Sequence, residues 1–195
     1  QDLRSPVLSL RSAELAIEQA SATGNWESGI IIGEQAIAMA RALSQNTILP
    51  RLLVWTSLIY LARGEVELAR PLVEEAWDVS GAGGEGYPNV HAEIPAYIGK
   101  GYLALTEGNT EEAIRIGRAA VQIADKVGYG LWAIHRLVPH LAEAYLWKGD
   151  LDGAREMGER LESGSSPIQH KLGLAWGDTC KALVTWMDGD PEEGA

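Results

Sequence analysis

A glycine-rich segment is the first candidate in this chain for a chemical role, the binding of a phosphate group. Residues 81–86 read Gly-Ala-Gly-Gly-Glu-Gly, which formally matches the G-x-G-x-x-G pattern of dinucleotide-binding sites. That pattern binds phosphate only when a strand precedes it and a helix starts at its last glycine. Here a helical pattern precedes the segment, and Tyr87-Pro88 delays the next helix. We therefore interpret the segment as a loop between helices.

The histidines and the cysteine lack the spacing of a metal or nucleophile site. His135 and His140 are five residues apart, whereas metal-binding pairs on a helix face prefer i and i+4. Cys180 lies near Trp176 and Val184 in a helical pattern, which favours a buried, inert thiol. Neither a G-x-S-x-G nor an H-E-x-x-H motif occurs. We predict no catalytic residue, no metal and no cofactor, and hence no enzyme.

Tryptophan is the residue type best suited by its chemistry to form a binding surface, and the chain has seven. Indoles bury large areas at interfaces, but they also pack between helices. The sequence favours packing for most of them and leaves both interpretations open for Trp147 and Trp186. The tryptophans are Trp26, Trp55, Trp77, Trp132, Trp147, Trp176 and Trp186.

Composition limits the classes of partner. The formal net charge is −11, and Lys and Arg form no cluster, so this segment is not expected to contact nucleic acid. No run of 18 apolar residues exists, so we predict no membrane contact. A single cysteine fits a reducing compartment, and we predict a cytoplasmic location. The chain begins with Gln1 rather than Met, which indicates an excerpt of a larger multidomain protein.

The elements that would position any site repeat along the chain. A glycine returns at intervals of 40, 44, 41 and 40 residues, at Gly24, Gly64, Gly108, Gly149 and Gly189. A small residue follows five positions later, at Gly29, Ala69, Ala113, Ala154 and Gly194. Twelve positions after the glycine come Ala36, Ala76 and Ala120, with Leu161 as the exception. A fixed period of this length is typical of stacked helical repeats.

Amphipathic stretches flank each glycine, and apolar spacing predicts helices on both sides. Asp190-Pro191 resembles a helix start and predicts a fifth unit that the chain enters but does not complete. Ser166 is predicted to cap the last full helix, with Pro167 at its start. The predicted helices are 5–22, 26–43, 48–63, 65–80, 90–107, 110–127, 130–148, 151–162 and 168–188.

The turn glycine with small residues five and twelve positions later resembles the tetratricopeptide repeat (TPR). Tyr60 and Tyr145 match the large residue that the family has four positions before the glycine, although the aromatic expected nine positions after it is absent. The period exceeds the usual 34 residues and resembles the longer units of bacterial LuxR-type and maltose-activator-like regulators and multidomain nucleotide cyclases. HEAT repeats, with a similar period, are the second choice. The resemblance implies an all-α, right-handed α-solenoid of about four and a half helix pairs, with residues 1–195 as one repeat domain.

In the TPR family the first helix of each pair lines the concave surface. Carried over to this chain, the register gives an aromatic and apolar surface with two arginines. Its positions are Arg51, Val54, Leu58, Ile98, Tyr102, Leu105, Arg136, Glu143, Leu146, Trp147, Trp176, Leu183 and Trp186. The Lys/Asn clamp by which chaperone-binding TPR domains hold a carboxylate is not there, because Val54, Leu58, Ile98 and Tyr102 occupy those positions. The resemblance thus implies a partner or ligand site that comprises Arg51, Tyr102, Arg136, Glu143, Trp147, Trp176 and Trp186.

Two functions follow from the resemblance. The first is a non-catalytic scaffold that binds a protein, a peptide or another domain of its own chain, as the regulatory part of a bacterial signalling or transcription-regulating protein. The alternative is a ligand-sensing superhelix that binds a small molecule and switches an attached regulator or enzyme. We also expect self-association through the C-terminal end, where Leu174, Val184 and Met187 are predicted to face water because the next helix is cut short.

Overall fold

The computed structural model describes residues 5–84 and 89–189, and all regular structure within them is helical. These residues contain no strand. The chain divides into two compact units, Gln1–Thr106 and Glu107–Ala195. None of the described helices is long and apolar enough to cross a membrane.

The first unit consists of antiparallel helix pairs joined by short turns. Helices α1 and α2 pack together, as do α3 and α4, and α5 packs on both α3 and α4. The turn glycines lie in the left-handed region, with φ of 77° at Gly24 and 76° at Gly64, where a side chain would be strained. The helices are α1 (Pro6–Thr23), α2 (Trp26–Ala42), α3 (Leu49–Ala62), α4 (Val66–Ser80) and α5 (Val90–Thr106).

The second unit repeats this plan with one interruption. Helix α6 packs on α8, α8 packs on α9, and α9 packs on α10. Asn109 and Asp150 cap α6 and α9 by accepting hydrogen bonds from Glu112 N and Gly153 N. The helices are α6 (Thr110–Lys126), α7 (Gly130–Arg136), α8 (Val138–Lys148), α9 (Leu151–Ser165) and α10 (Lys171–Met187).

Two predicted boundaries in this unit are wrong. The helix predicted over 130–148 is divided at Leu137, because Pro139 has no N–H to donate to the preceding turn. The segment left between the predicted helices 151–162 and 168–188 is instead the end of α9 and a 3-10 turn, Ser166–Ile168. Helix α10 consequently starts at Lys171, with His170 Nδ1 rather than Ser166 accepting the capping hydrogen bond, from Gly173 N at 3.0 Å.

The small residues of the repeat lie where helices cross. Ala69 and Ala113 are buried, and Gly29 allows α2 to approach its neighbours. A Cβ atom at Gly29 would lie 2.6 Å from Ile59 Cδ1 and 2.9 Å from Ala20 Cβ, which is too close for carbon atoms. Short side chains at these positions therefore determine how closely the helices pack.

Enlarging these small residues should destabilise the protein. We expect Ala69→Leu or Ala113→Leu to lower the free energy of unfolding by about 1–3 kcal/mol, because added methylene groups overpack a closed helix crossing. Chemical denaturation measures the loss, and Ala38→Leu at an exposed site on α2 is the matched control. Equal stability of the Ala69 and control variants would mean that the repeat register is wrong.

Candidate functional site

The second unit contains an apolar cleft between α8 and α10. Its volume is about 440 Å³. One wall comes from α8 and the other from α10, and Leu161 of α9 contributes to the floor. The lining residues are Pro139, Ala142, Glu143, Leu146, Trp147, Leu161, Trp176, Thr179, Cys180, Leu183 and Met187.

The cleft exists because α10 lies against α9 and hardly touches α8. Gly158 of α9 and Gly177 of α10 meet at this crossing, where a Cβ atom at Gly177 would lie at van der Waals distance, 3.4 Å, from the Gly158 carbonyl oxygen. The Cys180 thiol also donates a hydrogen bond from Sγ to the Ala154 carbonyl oxygen at 3.2 Å. Helix α10 is thus held to α9, and its other face remains open toward α8.

Helix α10 presents a continuous apolar stripe to the cleft. Trp176, Cys180, Leu183 and Met187 follow one another at spacings of three or four residues, so they lie on one face of the helix. Leu183 and Met187 are exposed in the free chain. An exposed apolar stripe beside a cleft is typical of a surface that binds a partner.

Two indoles of the cleft are open to solvent. Trp147 of α8 is 61% exposed, and Trp176 of α10 is 39% exposed. Trp186 is 64% exposed, although it does not line the cleft. None of the three seals the packing between helices, so each retains area that a partner can cover.

Glu143 is the single carboxylate among the lining residues. It forms no hydrogen bond or ion pair with any residue that the structure describes. Burial raises the pKa of Glu143, because the apolar surroundings disfavour the ionised form. One turn earlier on α8, burial lowers the pKa of His140 to about 3, so that its imidazole is neutral at pH 7 and supplies no positive charge.

The thiol in the cleft is not prepared for chemistry. Cys180 is buried, and burial raises its pKa, so the thiol is protonated at neutral pH. Within the described residues no group of three His, Cys, Asp or Glu side chains is placed to hold a metal ion. The cleft can therefore bind apolar and cationic groups, whereas a nucleophilic role for Cys180 has no support.

The structure places the predicted site residues in both units. Glu143, Trp147 and Trp176 meet in the cleft of the second unit. Arg136 is the half-buried last residue of α7, outside the cleft lining. In the first unit, the Arg51 guanidinium pairs with Glu14, and the partly buried Tyr102 packs against the cluster formed by Tyr60, Leu61, Ala69, Val73 and Leu103. Arg51 and Tyr102 thus have structural contacts within their own unit.

Other tryptophans pack within the first unit. The Trp77 and Tyr97 rings meet edge-on, with 4.9 Å between their centroids. Lys100 Nζ lies over the Trp77 ring, 5.3 Å from its centroid. Trp26 donates from Nε1 to the Ser21 carbonyl oxygen at 3.3 Å, and Trp55 is buried. The Trp132 side chain lies outside the described residues, as do residues 85–88 and 190–195.

One part of the predicted C-terminal surface is wrong. Val184 is buried rather than exposed, because it lies on the face of α10 that packs against α9. Met187 is exposed as predicted, and Leu174 is half-buried. The exposed apolar residues that the prediction omitted are Leu172, Trp176, Leu183 and Trp186.

The prediction also missed Pro139, Ala142, Leu161, Thr179, Cys180 and Met187 as lining residues. The stripe from Trp176 to Met187 is visible as a spacing of three and four residues in the sequence. Its use as a cleft wall depends on the distance between α8 and α10, for which the sequence contains no signal.

Comparison with known proteins indicates the fold. The sequence matches no family model, and no curated protein matches it. Two solved structures are similar over 98% of this chain and 92% of theirs, with a TM-score of 0.67 and 19% identity. They are the nearly identical TPR-like repeats of a protein described as a kinesin light chain from Podosopora anserina, and a variant of the same protein. The chain therefore has the predicted all-α fold of a TPR-like solenoid.

Proposed function

We propose that this chain is a non-catalytic interaction module whose α8–α10 cleft binds an amphipathic helical segment of a partner protein. The observation that carries the proposal is the pair of exposed indoles, Trp147 and Trp176, on opposite walls of one apolar cleft. Solenoid repeats commonly use extended grooves of this kind to bind proteins. Large aromatic side chains also supply much of the binding free energy at interfaces.

A helix is the expected form of the bound segment. The stripe on α10 runs from Trp176 to Met187, about three turns of helix. A helical segment with apolar residues at i, i+3, i+4 and i+7 would cover such a stripe. The segment belongs either to a separate protein or to another domain of the same chain.

Truncation of one indole tests the proposal. We expect Trp147→Ala to weaken binding of leucine-rich amphipathic helical peptides by at least tenfold, because an indole at an interface contributes about 2 kcal/mol or more. Calorimetric titration measures the affinity, and circular dichroism should show unchanged helix content. Leu68→Ala, at an exposed apolar site on α4, is the control. Equal affinities for both variants would show that the cleft does not bind these peptides.

The size of the cleft favours a second candidate function. A volume of about 440 Å³ lies within the range of small-molecule sites, roughly 300–1,000 Å³. An apolar or sugar-like ligand stacked on Trp147 and Trp176 would make the chain a sensor for an attached domain. Thermal-shift screening against small molecules separates this function from peptide binding. The bacterial signalling role stays a prediction from the family resemblance, and the cytoplasmic location stays a prediction from cysteine usage.

A further inference from the structure

We propose that the α8–α10 cleft selects a cationic side chain, lysine or arginine, within the apolar face of the segment that it binds. This inference rests on the proposed function and specifies the chemistry of the partner. Its basis is Glu143, the carboxylate placed among the apolar walls of the cleft without a hydrogen-bond or ion-pair partner among the described residues.

Three cations on or next to the helices of the cleft are paired with other carboxylates. Lys148 Nζ lies 3.3 Å from Glu111. Arg155 Nη2 lies 2.6 Å from Asp188 Oδ2, and Lys181 Nζ lies 2.5 Å from Glu162 Oε2. Since these cations bind elsewhere, a cation from outside would compensate the cost of placing the Glu143 carboxylate in an apolar cleft.

The surroundings of Glu143 suit a long cationic side chain. Lysine and arginine have apolar stems that can lie along Leu146 and Leu183 while the charged head reaches the carboxylate. Trp147 and Trp176 line the same cleft, and indole faces attract cations. A carboxylate with two indoles is therefore complementary to a cation rather than to an anion.

The net charge favours the same class of partner. At −11 the chain attracts basic segments at long range and repels acidic ones. An acidic segment would also bring a second carboxylate toward Glu143, where like charges repel in an apolar environment. A partner with a basic amphipathic helix fits both the local and the overall charge.

Matched synthetic peptides test this selection. Three leucine-rich helical peptides of equal length differ at one central position of the apolar face, which carries lysine, methionine or glutamate. We expect the lysine peptide to bind about tenfold more tightly than the methionine peptide, because a hydrogen bond to a charged group adds that much. The glutamate peptide should bind most weakly. Calorimetry measures the affinities, with indole fluorescence as a second readout.

Glu143→Gln should abolish the preference for lysine and leave the affinity for the methionine peptide unchanged. The control is Glu74→Gln, which removes one charge at an exposed site on α4 and should preserve the preference.

The stability of the variant is a separate readout. Since burial raises the pKa of Glu143, its carboxyl favours the folded state at acid pH, and that contribution is lost as the pH rises through the folded pKa. Glu143→Gln should therefore be at least as stable as the wild type at pH 7. If Glu143 had only a structural role, the same substitution would lower the stability.

Each other outcome overturns the inference in a recognisable way. Equal affinity for the lysine and methionine peptides would show that the apolar cleft binds the peptides but does not select a cationic side chain. Failure of all three peptides to bind overturns the proposed function as well. Sedimentation that shows a dimer, dissociated by Trp147→Ala, would make a second copy of this chain the occupant instead.

Discussion

Arg51→Met is expected to lower the free energy of unfolding by about 3 kcal/mol, because it leaves a buried carboxylate without its main partner. Glu14 of α1 is only 2% exposed, and its Oε1 accepts from both Nε and Nη2 of Arg51 on α3. The Arg51 side chain is itself only 12% exposed. Arg11 Nη1 remains 3.2 Å from Glu14 Oε2, but its side chain is 45% exposed, so solvent weakens this second ion pair.

An exposed ion pair in the same unit is the control. Arg41 binds Glu75 across α2 and α4, and both side chains are solvent-accessible. Arg41→Met should therefore cost less than about 1 kcal/mol. The double variant Glu14→Leu/Arg51→Met removes both buried charges and should recover much of the loss. Urea denaturation gives the free energies of unfolding of the wild type and the three variants. Similar small losses for the Arg51 and Arg41 variants would show that Glu14 is accessible to water.

This ion pair shows where a register carried over from a family misleads. The position of Arg51 matches a concave-surface site in the TPR register, and arginine is a common binding residue, so the sequence favoured a functional role. Whether its guanidinium reaches a partner or Glu14 depends on the packing of α1 against α3. Glu14 is 37 residues away in sequence, and nothing in the local pattern of α1 marks its carboxylate as buried.

The helical architecture was predictable because it depends on local signals. Turn glycines such as Gly24 and Gly149 require the left-handed conformation, and both adopt φ of 77°. Alanines such as Ala69 and Ala113 lie at helix crossings, as the period predicts. The start of α10 was not predictable, because Ser166-Pro167 is an equally good helix start, whereas in the structure α9 extends to Ser165 and His170 caps α10.

The cleft depends on packing between helices that the repeat period does not encode. Trp147, Trp176 and Glu143 were identified as concave-surface residues, and the structure brings these three together. Cys180 and Leu161 were not, because their role depends on how closely α10 approaches α9. Gly158 and Gly177 lie at that crossing, and residues without side chains give no hydrophobic signal in the sequence.

Leu161 provides the second large expected effect. It occupies the position where earlier units have a buried alanine, and it is itself fully buried at the floor of the cleft. Helix α10 packs directly on this side chain, since a Cβ atom at Gly177 would lie at van der Waals distance, 3.5 Å, from Leu161 Cβ. We expect Leu161→Ala to lower the free energy of unfolding by about 3 kcal/mol, from lost apolar burial and the cavity that remains.

The same substitution should change what the cleft accepts. The cavity left by Leu161→Ala would open into the floor between Trp147 and Trp176, so peptides with a larger central anchor should gain affinity relative to the lysine peptide. Leu172→Ala, at an exposed site on α10, is the control and should change stability by less than about 0.5 kcal/mol. If Leu161→Ala costs no more than this control, the side chain does not support the cleft floor.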